Sequence, residues 1–128
     1  MTSINIPFFD GSKVKPLTLD RINEKGDLIS PVADRTVVMF YADWCGACKS
    51  TKPGYVKFAN SAPKGIDVKA LDYASAYKLY IDQWKYKITG YPTIIGFYKG
   101  KAYSIYNGDR TAEDLLEYAK HIGTKPGY

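Results

Sequence analysis

The chain has two cysteines and one histidine among its 128 residues. Both cysteines fall in one tetrapeptide, Cys45-Gly-Ala-Cys48, inside "YADWCGACKS". So small a stock excludes a secreted scaffold stapled by several disulfides. Bridging these two neighbours would close a tiny loop and constrain little of the unfolded chain. A closed zinc site is equally short of ligands. It needs four, and His121 lies far along the chain on the last expected helix. Near a helix C-terminus that histidine reads as a surface residue whose partial charge suits the dipole. No metal is expected within one chain; a cluster shared between two chains is the remaining metal reading.

Long apolar runs are also missing. None approaches the ~18 residues of a membrane helix, so no membrane partner is expected. The opening "MTSINIPFFDGSK" has no basic stretch followed by an apolar one, and the closing "GTKPGY" matches no retention signal. The expected setting is intracellular. Eighteen Lys and Arg against thirteen Asp and Glu give a net charge of +5. The cations are scattered, and a solvated basic surface explains them better than a nucleic-acid stripe. At most the charge leans toward acidic protein partners.

What remains is an ordinary globular composition, with 45% apolar and 24% charged residues. Its length suits one domain spanning residues 1–128, with 1–13 as an N-terminal extension and 123–128 as a short tail. "RTVVMFYADW", from Arg35, is apolar on both faces and reads as a buried central strand. "GACKSTKPGYVKFANS", 46–61, reads as a helix that starts after Cys45, with Pro53 kinking it and Gly54 weakening it further. "IDVKALD", 66–72, is a second strand, and 75–87 has helical apolar spacing. "TIIGFY", 93–98, turns at Lys99-Gly100 into "KAYSIYN", which predicts an antiparallel hairpin. Residues 110–122 form a last helix with Thr111 as N-cap and Gly123 at its end. In the first third, "VKPLTLDRI" reads as an edge strand and "NEKGDLISPVAD" as a short broken helix. The fold class is α/β: a central mixed sheet flanked by helices, closing with a hairpin and a helix.

On this map the cysteines sit where a strand gives way to a helix. A helix N-terminus presents unpaired N–H groups and a positive dipole end, so a depressed Cys45 pKa is expected. Cys48, three residues on, lies on the same helix face. This assigns Cys45 to attack a substrate disulfide and Cys48 to resolve the mixed disulfide. Gly46 leaves the approach open, and Trp44 offers a flat apolar face. Pro92, in "TGYPT", must stand at the start of its strand because it lacks an N–H. Base rates alone make its peptide bond trans.

"FYADWCGACK" resembles the active-site stretch of the thioredoxin superfamily. "STKPGYVKFA", "TGYPTIIGFYKGK" and "YNGDRTAEDLLEYAK" are most similar to the catalytic domains of protein disulfide isomerases, and the likeness runs over residues 35–122. The resemblance implies a thioredoxin-like fold, with Cys45 as nucleophile and Cys48 as resolving thiol. It also implies a cis Tyr91–Pro92 bond facing the pair, against the base rate. Trp44, Gly46, Ala47, Tyr91 and Pro92 would form the docking surface, with the Tyr91 backbone pairing an extended substrate. Lys49 and Arg110 would tune the pair, Arg110 acting on the resolving cysteine. No cofactor is implied. The implied partners are proteins bearing disulfides or dithiols, with a reductase or dithiol donor to recycle a monomeric protein.

Three residues depart from the family pattern. Met39 stands where many members carry a buried Asp or Glu, and Ala70 where a lysine often approaches it. Ala47 replaces the proline of thioredoxins and the histidine of isomerases. The expected activity is thiol–disulfide exchange, reducing in an intracellular setting. The alternative is a peptide-binding module of the same fold with slow or no redox turnover.

Overall fold

The computed structural model describes residues 7–73 and 88–124. The helix expected over 75–87 lies outside the described residues. Five strands form one mixed sheet: β1 (Lys15–Pro16), β2 (Arg35–Tyr41), β3 (Ile66–Asp72), β4 (Thr93–Tyr98) and β5 (Lys101–Ile105). Their order across the sheet is β1-β3-β2-β4-β5. The first three are parallel, and β4 and β5 run antiparallel to their neighbours. Helix α1 (Gly46–Ser61) follows β2, and α2 (Ala112–His121) closes the domain.

The period of two along β2 explains the layering. Val37, Met39 and Tyr41 point into one core with Tyr55 and Phe58 of α1 and Leu115 and Ala119 of α2. Val38 and Phe40 point into a second core on the other face, with Leu17, Ile22, Leu28 and Phe97. Both faces are buried, as a near-continuous apolar strand requires. The Tyr55 hydroxyl donates to the Lys69 carbonyl at 2.7 Å and lies 3.1 Å from that of Val37, which ties α1 across β2 and β3. The Arg35 guanidinium donates to the Ile122 carbonyl at 2.8 Å and pins the end of α2. Gly123, at φ 78°, then turns the chain in the left-handed conformation glycine tolerates. Helix α1 runs through Pro53 and Gly54 without interruption.

Three expectations for the first third need correction. Only Lys15 and Pro16 of the anticipated edge strand pair with β3, opposite Lys69 and Ala70. Pro16 has no N–H to extend a ladder, and the chain turns into a single 3-10 turn at Leu19–Arg21. No helix forms within 23–34. The Asn23 side chain instead accepts from the N–H groups of Lys25 and Asp27 at 2.9 and 3.0 Å. That local bond competes directly with helix formation, and Gly26 at φ 84° completes a tight turn. Third, the stretch read as an N-terminal extension is packed onto the domain where it is described. Phe9 is wholly buried against Tyr41 and Tyr55, and Phe8 stacks on Tyr41 with centroids 4.8 Å apart.

Candidate active site

After Tyr41 the chain leaves the sheet, and the Cys45 N–H donates back to the Ala42 carbonyl at 3.1 Å. This turn makes Cys45 the N-cap of α1, with extended backbone angles of φ −81° and ψ 122°. A cap side chain accepts from one of the orphan N–H groups of the first turn, and oxygen usually does so. Here the Cys45 Sγ accepts from the Cys48 N–H at 3.1 Å. Charge developing on that sulfur therefore meets a donor already in place and the positive end of α1. On its other side the Cys45 thiol donates to the Tyr91 carbonyl at 3.5 Å, across 46 residues of sequence. The Tyr91–Pro92 peptide bond is cis.

The two thiols are free and differ in access. Cys45 keeps 8% of its surface exposed and Cys48 none. Burial pushes the Cys48 thiol up from 9.0 to about 12, helped by its hydrogen bond to Cys45 and by the charge of Cys45. An Ala42 backbone hydrogen bond and the Arg110 charge pull it partly back. Tyr41, beneath the pair, is likewise raised to about 12, chiefly by burial and then by Asp72, Asp43 and Cys48.

Trp44, 68% exposed, stands edge-on to Tyr91 with centroids 5.8 Å apart. Gly46 and Ala47 are exposed on the first turn of α1, and open space surrounds the position a Gly46 Cβ would take. The expected docking residues Trp44, Gly46, Ala47, Tyr91 and Pro92 thus gather around one sulfur. Arg110, in the turn before α2, reaches Cys48 electrostatically. Lys49 is not drawn into the site. Its backbone N–H donates to the Cys45 carbonyl at 3.1 Å, but the residue is exposed and forms no ion pair among the described residues. No group of three His, Cys, Asp or Glu able to hold a metal occurs among the described residues.

Sequence reasoning missed two contributors. Ala42 supplies backbone bonds to both cysteines, which a sequence does not display. Gly54 lets α1 meet the turn before α2: a Cβ there would fall 2.2 Å from the Arg110 carbonyl oxygen. The Pro53-Gly54 pair inside a helix was its visible signal.

The thioredoxin family model matches residues 22–121, most of the chain. The chain belongs to the thioredoxin family. This thioredoxin domain is 35% identical to a thioredoxin domain-containing protein of Theileria parva over 82 residues, covering 64% of this chain and 36% of that protein. It is 36% identical to protein disulfide-isomerase A4 of Mus musculus over 102 residues, covering 76% of this chain and 15% of that protein. It therefore spans about a third or less of the length of these relatives. Among solved structures, the thioredoxin domain shares its fold with human ERp44, at a TM-score of 0.68 and 22% identity, over 93% of this chain and 32% of that one.

Proposed function

We propose that this domain exchanges a Cys45–Cys48 dithiol for disulfides in proteins. The observation that carries the reading is the position of the Cys45 Sγ. It caps α1 at 3.1 Å from an N–H donor, beside exposed Trp44 and the Tyr91 carbonyl. In the forward direction the Cys45 thiolate attacks one sulfur of a substrate disulfide. A mixed disulfide forms and the other substrate sulfur leaves as a thiolate. Cys48 then gives up its proton and attacks the Cys45 Sγ. The second substrate thiolate departs, and the domain is left oxidised as Cys45–Cys48. An external reductase or dithiol returns it to the starting state.

The direction we favour is reduction, in the intracellular setting expected from the sequence. A strong oxidant stabilises its reduced form, and Ala47 offers no charge between the cysteines to do so. A redox titration against glutathione with both forms trapped tests the direction. The activity itself is tested by insulin turbidity in the presence of dithiothreitol, comparing wild type with Cys45→Ser. Faster precipitation with wild type supports exchange; identical traces sink it.

A second reading is a peptide-binding module with slow turnover. The burial of Cys48 favours it, because burial raises the thiol and resolution then waits on a rare thiolate. Equal insulin traces together with retained peptide binding at Trp44 would select that reading.

A further inference from the structure

Three large apolar side chains are exposed among the described residues. Trp44 belongs to the cysteine site. The other two, Ile29 at 42% and Val32 at 75%, share one loop. That loop is clamped. The N–H groups of Leu28 and Ile29 donate to the carbonyls of Gly100 and Arg21 at 2.7 and 2.8 Å, and the Lys99 N–H donates to the Asp34 carbonyl at 2.7 Å. Gly100, at φ 87°, packs so closely that a Cβ would fall 2.9 Å from the Leu28 carbonyl oxygen and 3.4 Å from the Pro31 ring. Between Ile29 and Pro31, Ser30 sits at φ 50°. A serine held in the left-handed region costs on the order of 1 kcal/mol, and such strain persists only where the surroundings impose it. The two apolar side chains are therefore held outward by a rigid frame.

Val32 lines two cavities, one of about 330 Å³ and one of about 170 Å³. The larger is walled by Ala59, Ala62 and Val68 and ringed by Lys13, Lys15 and Lys64. The smaller takes Ile29 as a wall and Arg21 and Lys69 as its cations. Among the described residues, Asp67 is the only carboxylate lining either cavity. Its side chain is 4% exposed and lies 3.4 Å from both Lys15 and Lys69, so it is already ion-paired. Lys13, Lys64 and Arg21 form no ion pair among the described residues. The result is an apolar floor with a rim that carries more cations than carboxylates. It is separate from the cysteine site, because the loop enters β2 at one end and Cys45 follows the other. Seven residues of strand put roughly 20 Å between them.

We propose that this loop and its two cavities form a docking surface for an acidic protein segment with two apolar anchors. The anchors enter the adjoining cavities on either side of Val32, and the carboxylates face Lys13, Lys64 and Arg21. Charge complementarity selects the acidic partner and steers its approach. Two concavities that share Val32 as a wall favour an extended chain over a lipid surface, which would leave both empty.

Panning a random dodecapeptide phage library on Cys45→Ser protein tests this without involving exchange chemistry. The control is the same protein carrying Val32→Ser, Lys13→Glu and Lys64→Glu, all exposed positions. The fold of the control is verified by circular dichroism, and the same three changes on a Cys45 background leave insulin reduction unaltered. Enriched peptides are expected to combine acidic residues with two apolar ones. They bind the parent at least tenfold tighter than the control, weaken as salt rises from 0.05 to 0.5 M, and tolerate Trp44→Ala. Enrichment of peptides without acidic residues, equal binding to the control, loss of binding in Trp44→Ala, or no enrichment overturns the proposal. So does binding of phosphatidylserine vesicles, or self-association that Val32→Ser abolishes, in place of peptide binding.

Discussion

Met39 on β2 and Ala70 on β3 are direct Cα partners across the parallel ladder, and both are wholly buried. By the resemblance alone, these are the two positions where an acid and an approaching lysine would be expected. The two positions instead hold a small-against-long apolar contact. A lone buried carboxylate here would have no counter-ion, and so would a lone ammonium. Apolar packing avoids both, and the proton of Cys48 must then leave by another route.

Restoring the acid tests that trade. Met39→Asp should destabilise the domain by about 3 kcal/mol or more, as an uncompensated buried charge does. Met39→Asp with Ala70→Lys should regain part of the loss, because the two positions are adjacent. In single-turnover release of thionitrobenzoate from Cys45, both variants should resolve faster than wild type at pH 7. Urea unfolding and stopped-flow absorbance supply the two measurements. An unchanged rate in both variants would show that proton removal does not limit resolution.

The Cys48 thiol at about 12 sets a pH dependence. Below that value the thiolate fraction rises tenfold per pH unit. In the mixed disulfide the charge and hydrogen bond of Cys45 are gone, but burial still holds the Cys48 thiol up, so the second release of thionitrobenzoate should speed up steadily between pH 7 and 9. Stability follows the opposite course. A thiol raised from 9.0 to about 12 binds its proton more tightly in the folded state. Its contribution is complete below about pH 9 and is lost as pH climbs toward 12. Tyr41, raised from 10.0 to about 12, acts in the same direction. The reduced domain should lose denaturation midpoint steadily above pH 9.

Gly54→Ala should reverse the usual helix preference. Alanine inside a helix normally gains up to ~1 kcal/mol over glycine. Here the added Cβ would meet the Arg110 carbonyl oxygen at 2.2 Å, and backbone cannot yield as a flexible side chain can. A net loss of about 1–3 kcal/mol is expected by urea unfolding. Displacing Arg110 also removes a charge that lowers the Cys48 thiol, so resolution at pH 8 should slow along with it.

Phe9→Ala should cost about 3–5 kcal/mol, the range for emptying a buried aromatic site. Deleting residues 1–13 should cost at least as much. A truncation with wild-type stability would mean that the contacts of Phe9 with Tyr41 and Tyr55 contribute nothing.

Much of this molecule was legible because its signals are local. The apolar run from Arg35, the cap at Thr111, the Lys99-Gly100 turn and the helix beginning after Cys45 each declare themselves within a few residues. The first third was not legible for the same reason. Its turn at Asn23 rests on side-chain-to-backbone bonds that a helical apolar pattern conceals, and Phe9 acquires meaning only from Tyr41 and Tyr55, far along the chain.

The sequence by itself determined the chemistry on offer: two cysteines at a strand-to-helix junction, with Ala47 between them and no acid at Met39. Only the tertiary structure decided what surrounds that pair. Folding brings Tyr91 to the Cys45 sulfur across 46 residues and Arg110 within reach of Cys48 across α1, with Gly54 admitting the contact. The physical reason is range. Backbone propensity and periodicity act over a few residues, whereas burial, electrostatic fields and close packing depend on which distant segments the sheet sets side by side.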